Sequence, residues 1–159
     1  MMAALHAGGL PLNTDGVRGP DRFNRRGYFE HEMVRTMHCS PEASFFQPGS
    51  VTKVLTHKLP FLTPGVPFRV ILMSRSIDRV VASQNRMLGE RGGDFTDWTG
   101  ILEEELARGR SLLERRKEIE CLEVRFEDLL AKPPVTLIEV FNFLGFQGDL
   151  GLAARQIGV

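Results

Sequence analysis

The stretch Phe68-Arg69-Val70-Ile71-Leu72-Met73-Ser74-Arg75-Ser76-Ile77-Asp78-Arg79-Val80-Val81-Ala82-Ser83 constrains the fold more than any other part of the chain. Its uninterrupted apolar run, residues 70–73, has the character of a parallel strand covered on both faces. The run ends in a polar turn carrying Arg75, after which Ile77, Val80, Val81 and Leu88 recur at helical spacing. That pattern predicts a helix running to Gly89 or to Gly92-Gly93. Downstream, residues 98–118 read as a longer amphipathic helix with Leu102, Leu106 and Leu113 on one face and a Glu104/Arg108 pair at i,i+4. Gly109 inside it predicts a bend. Leu122, Val124 and Phe126 alternate with Glu123 and Arg125, which predicts another strand. Strands alternating with helices indicate an α/β domain with a mainly parallel sheet.

The remaining segments are read by the same signals. Residues 2–7 look like the end of a helix stopped by Gly8-Gly9, so the start reads as cut inside a helix. Residues 10–27, rich in Pro, Gly, Asn, Asp and Arg, predict a long loop, and residues 28–37 a short helix. Residues 40–49 read as a loop, and the β-branched run 51–55 as a short strand closed by Pro60 and Pro64. Pro133-Pro134 predicts the start of a last helix with Leu137, Phe141 and Leu144 as its buried stripe and Gly145 as its stop. Residues 147–159 have little periodicity.

At 159 residues the chain suits one domain with a real core, and 42% apolar with 25% charged residues is ordinary for a globular protein. A formal net charge of zero argues against nucleic acid as a partner, though a local basic pocket stays open. Cys39 and Cys121 have no metal spacing and read as free thiols of a reducing cytosol. His6, His31 and His38 likewise form no metal set. No apolar run approaches the ~20 residues of a membrane span, and no signal peptide is visible. The expectation is a soluble cytoplasmic protein without a bound metal.

Arg75 lies just past the carboxyl end of a buried strand, where open α/β sheets place their ligands. A guanidinium there can hold a phosphate through two parallel hydrogen bonds. Ser83, eight residues on, is placed to add a hydroxyl. By spacing alone a plainer reading stays open, with Arg75 paired to Asp78 at the surface and Ser83 a small residue at a helix contact.

The order strand, Arg75, Asp78, Ser83, continued by Gln84-Asn85-Arg86-Met87-Leu88, resembles the 3'-phosphate-binding segment of sulfotransferases that use PAPS (3'-phosphoadenylyl sulfate). Leu122-Glu123-Val124-Arg125-Phe126-Glu127-Asp128-Leu129, with Pro133 and Phe143-Leu144-Gly145, is similar to a second segment of that family. Gly8-Gly9-Leu10-Pro11, Thr14-Asp15-Gly16 and Gly27-Tyr28-Phe29-Glu30 resemble its bacterial branch.

The resemblance implies a P-loop-NTPase-like sulfotransferase fold, incomplete at the N-terminus: residues 1–159 as a single, partial domain. Its 5'-phosphosulfate loop, Pro-x-Ser-Gly-Thr-Ser, does not occur in this sequence. The implied reaction moves a sulfuryl group from PAPS, as co-substrate, to a hydroxyl or amine of a small-molecule, glycan or peptide acceptor. The implied donor-binding residues are Arg75 and Ser83 on the 3'-phosphate and Phe126 near the adenine, where the family has a tyrosine. By residue type alone Phe126 is equally a core residue. His57, in Val54-Leu55-Thr56-His57-Lys58-Leu59-Pro60, is the candidate catalytic base, in a segment similar to the family's Lys-Thr-His-x-Pro. Leu55 stands where that lysine would precede the threonine, and Lys53 and Lys58 are the nearest lysines. Glu30 is a second candidate base, and His57 is otherwise a polar loop residue.

Arg18, Arg22, Arg25 and Arg26 in the long loop read either as a surface for an anionic acceptor or as a solvated charge run. A sheet lacking its first strand would expose an edge that invites self-association. The alternative function is a non-catalytic relative that binds a nucleotide or a partner. A nucleotide kinase of similar architecture would need a Gly-x-x-x-x-Gly-Lys-Ser/Thr loop, which this sequence lacks.

Overall fold

The computed structural model of the protein describes residues 1–90 and 97–158. Its frame is a parallel pair of strands, β1 (Phe68–Ser74) and β2 (Ile119–Arg125), in register from Phe68 opposite Ile119 to Ser74 opposite Arg125. The helices are α1 (Met2–Ala7), α2 (Glu32–Thr36), α3 (Ile77–Glu90), α4 (Thr99–Arg115), α5 (Phe126–Ala131), α6 (Pro133–Leu144) and α7 (Leu150–Arg155). The protein is thus an α/β fold with a small parallel two-stranded sheet flanked by helices.

Side-chain alternation along the strands separates two apolar clusters, one on each face. Leu72 and Ile119 join Leu59, Leu62 and Leu113, with Phe68, Val70 and Leu106 packed around them. On the opposite face Val124 joins Leu5, Leu129, Leu137, Val140 and Phe141, with Ile71, Met73 and Leu122 against them. Helices therefore cover the pair on both sides, which is why residues 70–73 read as an unbroken apolar run.

Several helix ends follow the predicted signals. Gly145 ends α6 in the left-handed region, at φ 64°, a conformation that favours glycine. Gly9 turns the chain after α1 at φ 108°. The expected helix within 28–37 condenses to the five residues of α2, capped by the His31 side chain, which accepts from the Met33 N–H. An end of α3 at Gly92-Gly93 falls outside the described residues.

Five expectations are corrected. Residues 51–55 form no strand. Val51 makes one bridge, to Leu12, and Pro11, the next residue along that partner, has no N–H with which to extend a ladder. The chain then runs into a 3₁₀ turn at Thr56–Phe61. Phe126 is not a strand residue but the first residue of α5. The helix expected to reach residue 118 ends at Arg115. Arg116 leaves it to donate to the Leu62 and Thr63 carbonyls at 2.7 and 3.0 Å and to Glu118.

Gly109 marks a close approach rather than a bend: α4 runs unbroken past it. A Cβ there would lie 2.6 Å from Thr56 Cγ2 and 3.5 Å from Leu59 Cδ1. Finally, the C-terminal tail contains α7, whose N-cap Asp149 accepts from the Leu152 N–H at 2.8 Å.

Candidate functional site

Parallel pairing brings the carboxyl ends of β1 and β2 to the same edge of the sheet. Ser74 and Arg125 form the last register pair, so Arg75 and Phe126 are the first residue beyond each strand. The structure brings these two predicted residues together: the Arg75 guanidinium carbon lies 4.9 Å from the centroid of the Phe126 ring. Arg75 is exposed, and among the described residues it has no ion pair, so the pairing with Asp78 is not formed. Its N–H groups remain available to an anion at the position where α3 begins.

Ser76 starts α3, its carbonyl accepting from the Arg79 and Val80 N–H groups. The Ser76 N–H donates to Glu127 Oε1 at 3.2 Å. Glu127 is held below the usual carboxylate range, first by its own backbone N–H and then by that of Ser76; partial burial opposes this, and Arg125 and Arg79 add to it. Its other oxygen, Oε2, is shut off from solvent with no donor among the described residues. Ser83 is exposed on α3, seven residues beyond Ser76. That spacing returns it to the same helix face, about 10 Å along the axis.

His57 lies in the 3₁₀ turn Thr56–Phe61. Its ring is half exposed, with Nδ1 3.4 Å from Glu105 Oε1 on α4. The same carboxylate oxygen accepts the His57 backbone N–H at 3.0 Å. A carboxylate at Nδ1 orients an imidazole and leaves Nε2 as the nitrogen facing away from that contact.

Glu30 occupies a different environment. It is buried, with Oε2 accepting from Arg18 at 2.8 Å and Oε1 from Lys53 at 3.0 Å. Burial pushes its carboxyl up, but the bonds and charges of Lys53 and Arg18 outweigh this and hold it below its ordinary value. With both oxygens engaged by cations, Glu30 is poorly suited to take a proton from a substrate. Its neighbourhood is a lock on the long loop. Lys53 also donates to the Tyr28 carbonyl at 3.0 Å, Thr14 Oγ1 donates to the Glu30 carbonyl, and Arg18 stacks 3.4 Å above the Tyr28 ring. Phe29 inside this knot has φ 52°, a conformation that a bulky side chain adopts only when its surroundings impose it.

Sequence reasoning missed the Glu127–Ser76 bond, although an acidic residue in the first turn of a helix was a readable signal. It also missed the triad Arg18–Glu30–Lys53, which joins residues distant in sequence and left no local signature. Among the described residues no group of His, Cys, Asp and Glu is arranged to hold a metal ion, and no helix is long and apolar enough to cross a membrane. Comparison of the chain with protein-family models, curated proteins and solved structures gives no match.

Proposed function

We propose that this chain is a domain of a PAPS-dependent sulfotransferase, built on the P-loop-NTPase-like plan of that family, with the edge carrying Arg75 as its 3'-phosphate site. The observation that carries the reading is an exposed guanidinium, without an ion pair among the described residues, at the carboxyl end of a parallel strand. Open α/β sheets bind ligands at that end. Ser83 supplies a hydroxyl on the same helix face as the turn. The sequence order of Arg75, Asp78 and Ser83 is the family's, and a 3'-phosphate is the group that separates PAPS from ATP.

In this reading the reaction passes the sulfuryl group in line from the donor to an acceptor hydroxyl or amine. Catalysis then consists of positioning the two and neutralising charge on the leaving phosphate. His57, oriented by Glu105, takes the acceptor's proton, and Glu30 holds the loop of residues 10–31 in place instead of serving as a base.

Titration calorimetry with adenosine 3',5'-bisphosphate tests the donor side. Arg75→Ala should weaken binding by about 2 kcal/mol or more, the order expected for charge-assisted hydrogen bonds. Unchanged affinity in that variant would remove Arg75 from the site. Binding without sulfuryl transfer to any acceptor in a broad panel would make the protein a nucleotide-binding module instead of an enzyme.

A further inference from the structure

We infer that the first turn of α5 is a bracket that aims Arg75, with Phe126 and Glu127 as its positioning residues. The inference rests on the reading of Arg75 as an anion-binding residue and says how an exposed side chain comes to be ready for that task. The register Ser74–Arg125 sets the two chain crossings side by side. From there one dipeptide grips the β1–α3 turn twice. The Phe126 ring lies 4.9 Å from the guanidinium carbon, within the ~6 Å over which a cation is attracted to an aromatic face. Glu127 Oε1 accepts the N–H of the next residue, Ser76, at 3.2 Å.

The first contact limits the side chain and the second fixes the backbone that carries it. A free arginine on a turn samples many rotamers and loses them on binding; one already held over a ring has lost part of that freedom beforehand. A guanidinium carries five N–H donors, so a contact with one ring leaves donors for an anion. The arrangement also engages one ring face of Phe126 with the arginine, which makes support of Arg75 the role of that ring. Glu127 Oε2 fits the same picture. A buried carboxylate oxygen without a donor costs stability and calls for a reason, and the hold of its partner oxygen on Ser76 supplies one.

The test is a set of calorimetric titrations of the full chain with adenosine 3',5'-bisphosphate. Phe126→Leu removes the π face and should weaken binding about three- to tenfold, while Phe126→Tyr, which keeps it, should bind like wild type. Arg75→Lys, a change at an exposed position, keeps the charge but loses the planar guanidinium over the ring, and should weaken binding at least as much. Adding Phe126→Leu to Arg75→Lys or Arg75→Ala should then cost nothing further, because the ring acts only through the guanidinium. A merely structural Phe126 would give the same loss in every background, and that result overturns the inference while leaving the anion site standing. Wild-type affinity in Arg75→Lys overturns it as well. Absence of any binding by the wild-type chain overturns both the anion site and the bracket.

Discussion

Glu30 shows how a residue's surroundings decide its role. Two oxygens, two cations and a buried position make it a structural anchor whose free energy depends on pH. Its folded pKa is depressed, so its contribution is fully present above the ordinary glutamate value of about 4.3 and is lost as pH falls through the lower folded value. Acid unfolding followed by circular dichroism should therefore show Glu30→Gln losing less stability than wild type below pH ~4. At neutral pH, Glu30→Ala should destabilise by about 2 kcal/mol in urea titrations, since the half-exposed Arg18 regains water but a charge-assisted pair is gone. For His57 the expectation is the reverse. Exposed and, among the described residues, tied to Glu105 alone, it should tolerate His57→Ala in thermal unfolding, while on the proposed function sulfuryl transfer falls and affinity for adenosine 3',5'-bisphosphate holds. Wild-type turnover in that variant would place the base elsewhere. The places of Arg75, in the turn after β1, and of Ser83, on α3, were legible because a strand, a turn and a helix follow one another in sequence. The partners of Glu30 and Glu127 were not, because the contacts join residues 18, 30 and 53, and 76 and 127, across the fold.

Elements were legible in proportion to how local their causes are. β1, α3, α4 and α6 carry their periodicity or their stop signals within a few turns, and each forms in the segment the pattern marks, α4 ending at Arg115 instead of residue 118. The run 51–55 shows the limit: β-branched residues favour a pleated, half-buried surface, but a strand also needs a neighbour, and Pro11 cannot extend the ladder. Phe126 illustrates it again, since alternation continued past Arg125 while the chain had already turned into α5. Gly109 shows a third case, a residue read as a helix defect whose cause lies in a separate segment. Gly109→Ala should destabilise despite alanine's better helix propensity, because the added methyl meets Thr56 at 2.6 Å. Overpacking of this kind costs ~1–3 kcal/mol. Gly100→Ala in the same helix meets nothing within 4 Å and should stabilise by up to about 1 kcal/mol. Equal changes in melting temperature for the two variants would refute the close-approach account.

At the scale of the whole molecule, the ends of the chain close one core. α7 lies against α1 and α6, Ala153 is fully buried, and the Asp149 N–H donates to the Gly8 carbonyl at 3.0 Å. A chain stopped after Asp149 should lose several kcal/mol of stability, the order expected for uncovering the apolar surface around Leu5 and Phe141. An unfolding midpoint equal to that of the full chain would mean that α7 is not part of the cooperative unit. On the other side of the sheet, α4 and the 3₁₀ turn bring His57 to Glu105, while the shared carboxyl ends of β1 and β2 present Arg75. The sheet is thus a partition between two apolar clusters and also the platform for the candidate site. The most direct measurement of the central claim is a calorimetric comparison of adenosine 3',5'-bisphosphate with adenosine 5'-diphosphate, which lacks the 3'-phosphate. The account predicts a preference of at least about tenfold for the 3'-phosphorylated ligand, abolished by Arg75→Ala. Equal affinities, or a preference that survives the loss of Arg75, would contradict it.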